Sequence, residues 1–215
     1  MSPFETLSDE EVRRINELQR EVFDKLYQLF EPPLPEGVPE NLERIVASGE
    51  IVEGATVLDV GSGTGILVPL IRRYEPARIH ACDLSEAMLG QLSRNYAYAE
   101  TILGDVRDLR LPDGSLDVVF VNACYPNIAD KATAFSNIGR MVRPGGRLVI
   151  SHPLGKSFIE VIKKNTPFPL DDFPERPEAE TLLPAFGFRL KSFVDEPKLY
   201  ILVAEKGVRG SAAAS

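Results

Sequence analysis

The run VLDVGSGTG, residues 57–65, constrains this chain more than any other stretch. A β-branched apolar strand leads straight into Gly61, Gly63 and Gly65, so the backbone can turn tightly and a ligand can lie against the main chain at the start of the next helix. Tight strand-to-helix turns favour glycine for their own sake, so the loop alone does not name a cofactor. Its spacing is G-x-G-x-G. The third position of the dinucleotide pattern G-x-G-x-x-G falls on Ile66, which argues against a nicotinamide-dependent oxidoreductase. Asp83 follows at the end of the next strand pattern. An acid there can accept hydrogen bonds from both hydroxyls of a ribose, or simply cap the helix that begins near Ser85.

The surrounding pattern places this loop in an α/β fold. Strands are expected at 56–60, 78–82, 100–103, 116–122 and 147–151, separated by helices at 65–74, 85–96 and 130–142, the signature of βαβ units and a parallel sheet. Two further strands, 188–194 and 199–205, flank the short DEPK loop, too brief for anything but antiparallel pairing. Before the sheet, Val12, Ile15, Leu18, Val22, Leu26 and Leu29 recur at helical spacing over 8–30, with Ser8 as N-cap and Glu11 at the capping-box position. The proline-rich PPLPEGVP stops that helix, and a shorter one is expected at 39–47. Helices at 156–164 and 178–185 flank the insert NTPFPLDDFPERP. The chain therefore divides into an N-terminal helical cap (1–50), a core (55–151), an insert (153–184) and a C-terminal hairpin (186–206), all within one domain spanning 1–209. Residues 210–215, GSAAAS, read as a linker or tag remnant.

Composition closes off several classes. With 32 Asp and Glu against 24 Lys and Arg the net charge is -8, which disfavours nucleic acid as a partner, because backbone binding depends on clustered cations. Two cysteines, Cys82 and Cys124, are too few for a disulfide framework and fit a reducing, cytoplasmic setting. No apolar run approaches the roughly 20 residues needed to span a bilayer. A monomer or homodimer without membrane attachment is expected.

Four stretches in order resemble the class I S-adenosylmethionine-dependent methyltransferases, in particular the small-molecule group that includes ubiquinone and menaquinone biosynthesis enzymes. VLDVGSGTG is similar to the family's cofactor loop, ACDLSEAML to its ribose motif, GDVRDLRLPDGSLDVVF to its adenine motif, and RMVRPGGRLVIS to its fifth-strand motif. The resemblance implies a Rossmann-like, doubly wound, mostly parallel seven-stranded sheet ending in an antiparallel hairpin. It implies that Asp59, Gly61 and Gly63 hold the methionine part of S-adenosylmethionine, that Asp83 holds its ribose, and that Ser62 and Met88 are also at the cofactor. Leu84 and Val106 would sandwich the adenine, Asp105 would accept its exocyclic amine, and Asn122 would face the methionine part. The product would be S-adenosylhomocysteine.

The implied reaction is methyl transfer to a small organic acceptor, with the protein supplying proximity, orientation and exclusion of water. A non-catalytic module that only binds the nucleotide, and a protein methyltransferase, are the alternatives. His152, directly after the fifth strand, is the candidate base, although a histidine packed against Pro153 and the insert fits equally. His80, within the second strand, reads as a core residue. NACYPN departs from the N/D-P-P-Y motif of amino-group methyltransferases acting on nucleic acids and proteins. Cys124 and His152 come from neighbouring strands, but two residues make an incomplete metal site, so no metal is expected. Aromatic residues of the first helix (Phe23, Tyr27, Phe30) and of the insert (Phe158, Phe168, Phe173), together with Cys124 and Tyr125, are candidates for lid and acceptor pocket.

Overall fold

In the computed structural model, residues 7–30 and 33–208 are described; the GSAAAS tail and the side chain of Phe30 lie outside them. Seven strands form one sheet: β1 (Thr56–Val60), β2 (Arg78–Asp83), β3 (Glu100–Leu103), β4 (Leu116–Asn122), β5 (Val142–His152), β6 (Phe188–Glu196) and β7 (Leu199–Lys206). Their order is β3-β2-β1-β4-β5-β7-β6. The first five run parallel, and β7 lies antiparallel between β5 and β6. The direction of the chain's crossovers reverses between β1 and β4, and ligands bind at such a switch point, beyond the carboxyl ends of the strands.

Strand alternation builds two cores, one on each face. Val57, Ile79, Val118, Phe120 and Val203 point to the side covered by α2 (Val38–Ser48), α3 (Val68–Arg72) and α4 (Glu86–Asn95). Leu58, Val119, Val121, Leu148 and Leu202 point to the side covered by α5 (Lys131–Met141) and α7 (Arg176–Leu182). The remaining helices, α1 (Asp9–Leu26) and α6 (Phe158–Lys163), sit at the end of the sheet where the parallel strands finish.

Element boundaries shift where local geometry overrides periodicity. The helix expected over 65–74 shrinks to α3; Gly65, its expected first residue, takes a φ of 91°, which no α-helix accommodates. The first helix stops at Leu26 and tightens into a 3₁₀ turn, Tyr27–Phe30. α7 begins earlier than expected because Pro177 sits at its first turn, where a missing N–H costs nothing; Pro184 then converts its end into a 3₁₀ turn. β5 begins at Val142 rather than Arg147. The RPGG segment ends α5 but stays in the sheet as a bulge, the pairing jumping from Leu116 with Val142 to Val118 with Arg147.

The insert is tied down by the ion pairs Lys131–Asp171 and Lys156–Asp195 and by a buried tyrosine of the sheet. Tyr200 of β7 is fully buried, and its hydroxyl donates to the Pro174 carbonyl at 2.8 Å. Tyr200→Phe leaves that carbonyl without a partner and is expected to cost about 1–3 kcal/mol in thermal unfolding. An unchanged melting temperature would mean the insert is held by other contacts.

Candidate functional site

A cavity of about 360 Å³ opens at the carboxyl ends of β1, β2, β4 and β5. Its floor is the glycine turn. Gly61 and Ser62 both donate their amides to the Cys82 carbonyl, at 2.8 and 3.1 Å, folding the turn over the end of β2. A Cβ on Gly61 would stand 2.3 Å from the Cys124 sulfur, so glycine is required there by space as well as by φ. Cys124 is brought this close because Ala123, at φ 53°, bends the chain sharply off β4.

Three aspartates line the cavity. Asp83 accepts the Gly63 amide at 2.8 Å on one oxygen and the Ser85 amide at 2.9 Å on the other. The carboxylate keeps acceptor capacity for a further donor. Ser85 is also the N-cap of α4, its hydroxyl accepting the Met88 amide at 3.1 Å, so the capping reading holds for Ser85 while Asp83 stays at the cavity. Asp105 accepts the Arg107 amide at 2.9 Å and its Nε at 2.8 Å. Asp59 is different: it is buried, its Oδ2 has no hydrogen-bond partner, and burial beside Asp83 pushes its pKa up to about 8. The Ser62 hydroxyl is likewise buried and unpartnered. Such orphaned polar atoms lining a cavity are what a polar ligand would satisfy.

All ten residues expected at the cofactor line this one cavity: Asp59, Gly61, Ser62, Gly63, Asp83, Leu84, Met88, Asp105, Val106 and Asn122. Asn122 is oriented by the Ser151 hydroxyl, which donates to its Oδ1 at 3.0 Å and leaves its amide group free to donate. His152 and Cys124 line it too. Burial lowers the His152 pKa to about 4, and its Nδ1 accepts the Leu154 amide at 3.2 Å, neither of which suits the base expected of it. Burial raises the Cys124 pKa as well, keeping a neutral thiol. Among the described residues no cluster of three or more His, Cys, Asp or Glu is placed to hold a metal.

The expected acceptor-pocket aromatics separate. Tyr27 lies in a surface groove between α1 and α4 with Asp24, Glu86 and Arg94, not in the cavity. Tyr125 and Phe173 turn into the core, ring centroids 5.6 Å apart, with Phe135 5.7 Å from Tyr125; the turn off β4 swings Tyr125 toward α5. Phe168 is buried and supports Phe23, 6.1 Å away, from behind. Phe23 and Phe158 do line the cavity.

Helix α1 supplies residues that its apolar pattern hid. It is held across the opening by Asn16, donating to Asp105 at 2.7 Å, by Gln19, donating to the Asn127 carbonyl at 2.7 Å, and by Asp24, accepting from the Ser85 hydroxyl at 2.5 Å. Val12, Asn16, Gln19 and Phe23 follow helical spacing, so a polar pair inside an inward stripe was the available signal.

A parallel sheet of this order, with a glycine turn after β1 and an acid at the end of β2, defines the Rossmann-like class that holds a nucleoside-containing ligand over its strand ends. Residues 58–150 match the family described as "Methyltransferase domain". Over 138 residues, 62% of this chain and 41% of the relative, it is 32% identical to malonyl-[acyl-carrier protein] O-methyltransferase of Halorhodospira halophila. It is 30% identical to the ubiquinone/menaquinone biosynthesis C-methyltransferase of Vibrio campbellii over 66% of this chain and 58% of that one. The chain thus spans less than two thirds of the length of these curated relatives. In fold it is similar to the crystal structure of Burkholderia thailandensis 1,6-didemethyltoxoflavin-N1-methyltransferase with bound 1,6-didemethyltoxoflavin and S-adenosylhomocysteine, with a TM-score of 0.72 at 18% identity, covering 96% of this chain and 94% of that one.

Burial of Asp59 has a measurable consequence. Because its folded pKa lies above the unfolded value, the native state keeps a proton that the unfolded chain gives up, and stability is lost as pH rises from about 4 to about 8. Asp59→Asn is expected to leave stability unchanged near pH 4 and raise it progressively to pH 8, by at most about 1.4 kcal/mol per pH unit. Equal unfolding curves for the two proteins at pH 8 would contradict the assignment.

Proposed function

We propose that this chain is an S-adenosylmethionine-dependent methyltransferase acting on a small organic acceptor. The observation that carries the reading is the pair of orphaned buried groups, Asp59 Oδ2 and Ser62 Oγ, set in the same cavity as Asp83 and the Gly61 cradle. Asp59 and Ser62 would take the polar end of the methionine part, Asp83 the two ribose hydroxyls, and Leu84, Met88 and Val106 the apolar faces of the base. Asp105 and Asn16 would meet the polar edge of the base together, since Asn16 is held 2.7 Å from Asp105.

When bound, S-adenosylmethionine would supply an electrophilic methyl group to a lone pair of the acceptor, the electrons of the carbon–sulfur bond staying with sulfur, and an acceptor atom that carries a proton would give it up to solvent before the site closes. The chain's part is arrangement. Asn122, fixed by Ser151, orients whatever lies beside it with its free amide donors. Helix α1, latched by Asn16, Gln19 and Asp24, covers the opening and excludes water from the reacting centre. Phe23, Leu29, Leu34, Val38, Leu154 and Phe158 give the rest of the cavity an apolar wall suited to an organic acceptor. Among the described residues no helix is long and apolar enough to cross a membrane.

The test is transfer of a radiolabelled methyl group from S-adenosylmethionine into solvent-extractable products, using the purified protein with a panel of small phenols, amines and ketones. Transfer is expected with the wild-type chain, and Asp83→Ala is expected to weaken S-adenosylhomocysteine binding about a hundredfold or more, as the loss of two charge-assisted hydrogen bonds implies. Nucleotide binding without transfer to any acceptor would favour the non-catalytic module, and label appearing only in protein would favour a protein substrate.

A further inference from the structure

The chemistry of the acceptor is constrained by a polar side chain that lines the cavity among apolar neighbours, His152. His152 ends β5 and lines the cavity beside Leu154 and Phe158. Its Nδ1 accepts the Leu154 amide at 3.2 Å. In a neutral imidazole the nitrogen that accepts cannot also carry the proton, so the proton sits on Nε2, which is then the polar group His152 brings to the cavity as a donor. The ring cannot easily turn to reverse this arrangement. Phe158 packs on it at 5.4 Å and Phe173 meets it edge-on at 5.8 Å, while the neighbouring strand places Tyr200 opposite, its own hydroxyl spent on Pro174.

Among the described residues, no charge sits against the ring to hold it protonated. Its packed neighbours, Phe158 of α6, Phe173 of the insert and Tyr200 of β7, include no acid, and burial is the only cause of its lowered pKa. The same environment bears on the ligand. Among the described residues lining the cavity there is no lysine or arginine, whereas Asp59, Asp83 and Asp105 all line it. A carboxylate or phosphate on the acceptor would lose its hydration without gaining a cationic side chain from the protein.

We propose that His152 is a substrate-orienting hydrogen-bond donor, presenting Nε2–H to an uncharged, largely apolar acceptor that carries a carbonyl or ring-nitrogen lone pair. This rests on the methyl-transfer reading of the same cavity. It assigns the acceptor's proton, where there is one, to solvent rather than to His152, and it makes the acceptor's lone-pair group the feature that turns the nucleophilic atom toward the methyl.

Two measurements test it, both on the full chain saturated with S-adenosylhomocysteine. The chain has only two histidines, so nitrogen-15 spectra of histidine-labelled protein, with His152→Gln to assign the signals, read the tautomer directly. His152 is expected to show a protonated Nε2 and a bare Nδ1, unchanged from pH 5.5 to pH 8. A protonated Nδ1, or a titration midpoint near neutrality, would overturn the donor role. Binding of 4-hydroxyacetophenone is then compared with 4-hydroxybenzoate, which shares its ring and hydroxyl but carries a carboxylate. The ketone is expected to bind at least about tenfold more tightly, to lose about tenfold in His152→Phe, which keeps the packing without a donor, and to recover in His152→Gln, which restores one. Equal binding of the two compounds, binding of neither, or no difference between the Phe and Gln variants would overturn the substrate assignment. Failure of S-adenosylhomocysteine itself to bind the wild-type chain would instead be a failure of the underlying methyl-transfer reading, so the two are distinguishable.

Discussion

How tightly the turn after β1 is drawn onto the ends of β2 and β4 determines everything else at this cavity. Two successive amides, of Gly61 and Ser62, converge on a single carbonyl of β2, and the next glycine donates to Asp83. The turn passes so close to Cys124 that no side chain fits on Gly61. Those contacts expose a row of main-chain atoms to the cavity, hold the Asp83 carboxylate in place by backbone donors, and leave Asp59 behind the turn without a partner for its second oxygen. The parallel sheet provides the geometry, since β1 and β2 end level with one another and β4 supplies the opposing wall.

The electrostatics of the site follow from that burial. Desolvation raises the pKa of Asp59, Asp83, Cys82 and Cys124 and lowers that of His152, so each is driven toward its neutral form. A cavity of this kind gains most from a ligand that is cationic at its polar end and apolar beyond it. The cationic end restores the charge of Asp59 and the apolar end meets walls that carry no cation of their own. This division of the cavity, acids at the sheet and aromatics under the lid, fits a sulfonium nucleoside seated beside an organic acceptor.

What the sequence made legible was what short-range chemistry decides. The strands at 56–60, 100–103 and 116–122 match the observed ones, and β6 and β7 pair antiparallel as the short DEPK loop requires. The ten residues expected at the cofactor converge on one cavity because nearly all of them sit at or just beyond the carboxyl ends of β1 to β4, with Met88 in the first turn of α4, positions that the fold class itself fixes. The acceptor side was not legible in the same way. Tyr125 and Phe173 are separated by 48 positions and read as pocket aromatics, yet they pack on each other; only tertiary structure pairs them. Asn16 and Gln19 were hidden inside a helix that was read for its apolar residues, although the side chains that latch it are polar. The tautomer of His152 depends on an amide two residues later in a turn, which no periodicity reveals.

The most direct test of this account is calorimetric titration of the purified chain with S-adenosylmethionine and S-adenosylhomocysteine, with a nicotinamide dinucleotide as control. The account predicts saturable one-to-one binding of both sulfur nucleotides, in the micromolar range, and none of the dinucleotide. Folded, ligand-free protein that binds neither sulfur nucleotide, or that prefers the dinucleotide, would contradict it.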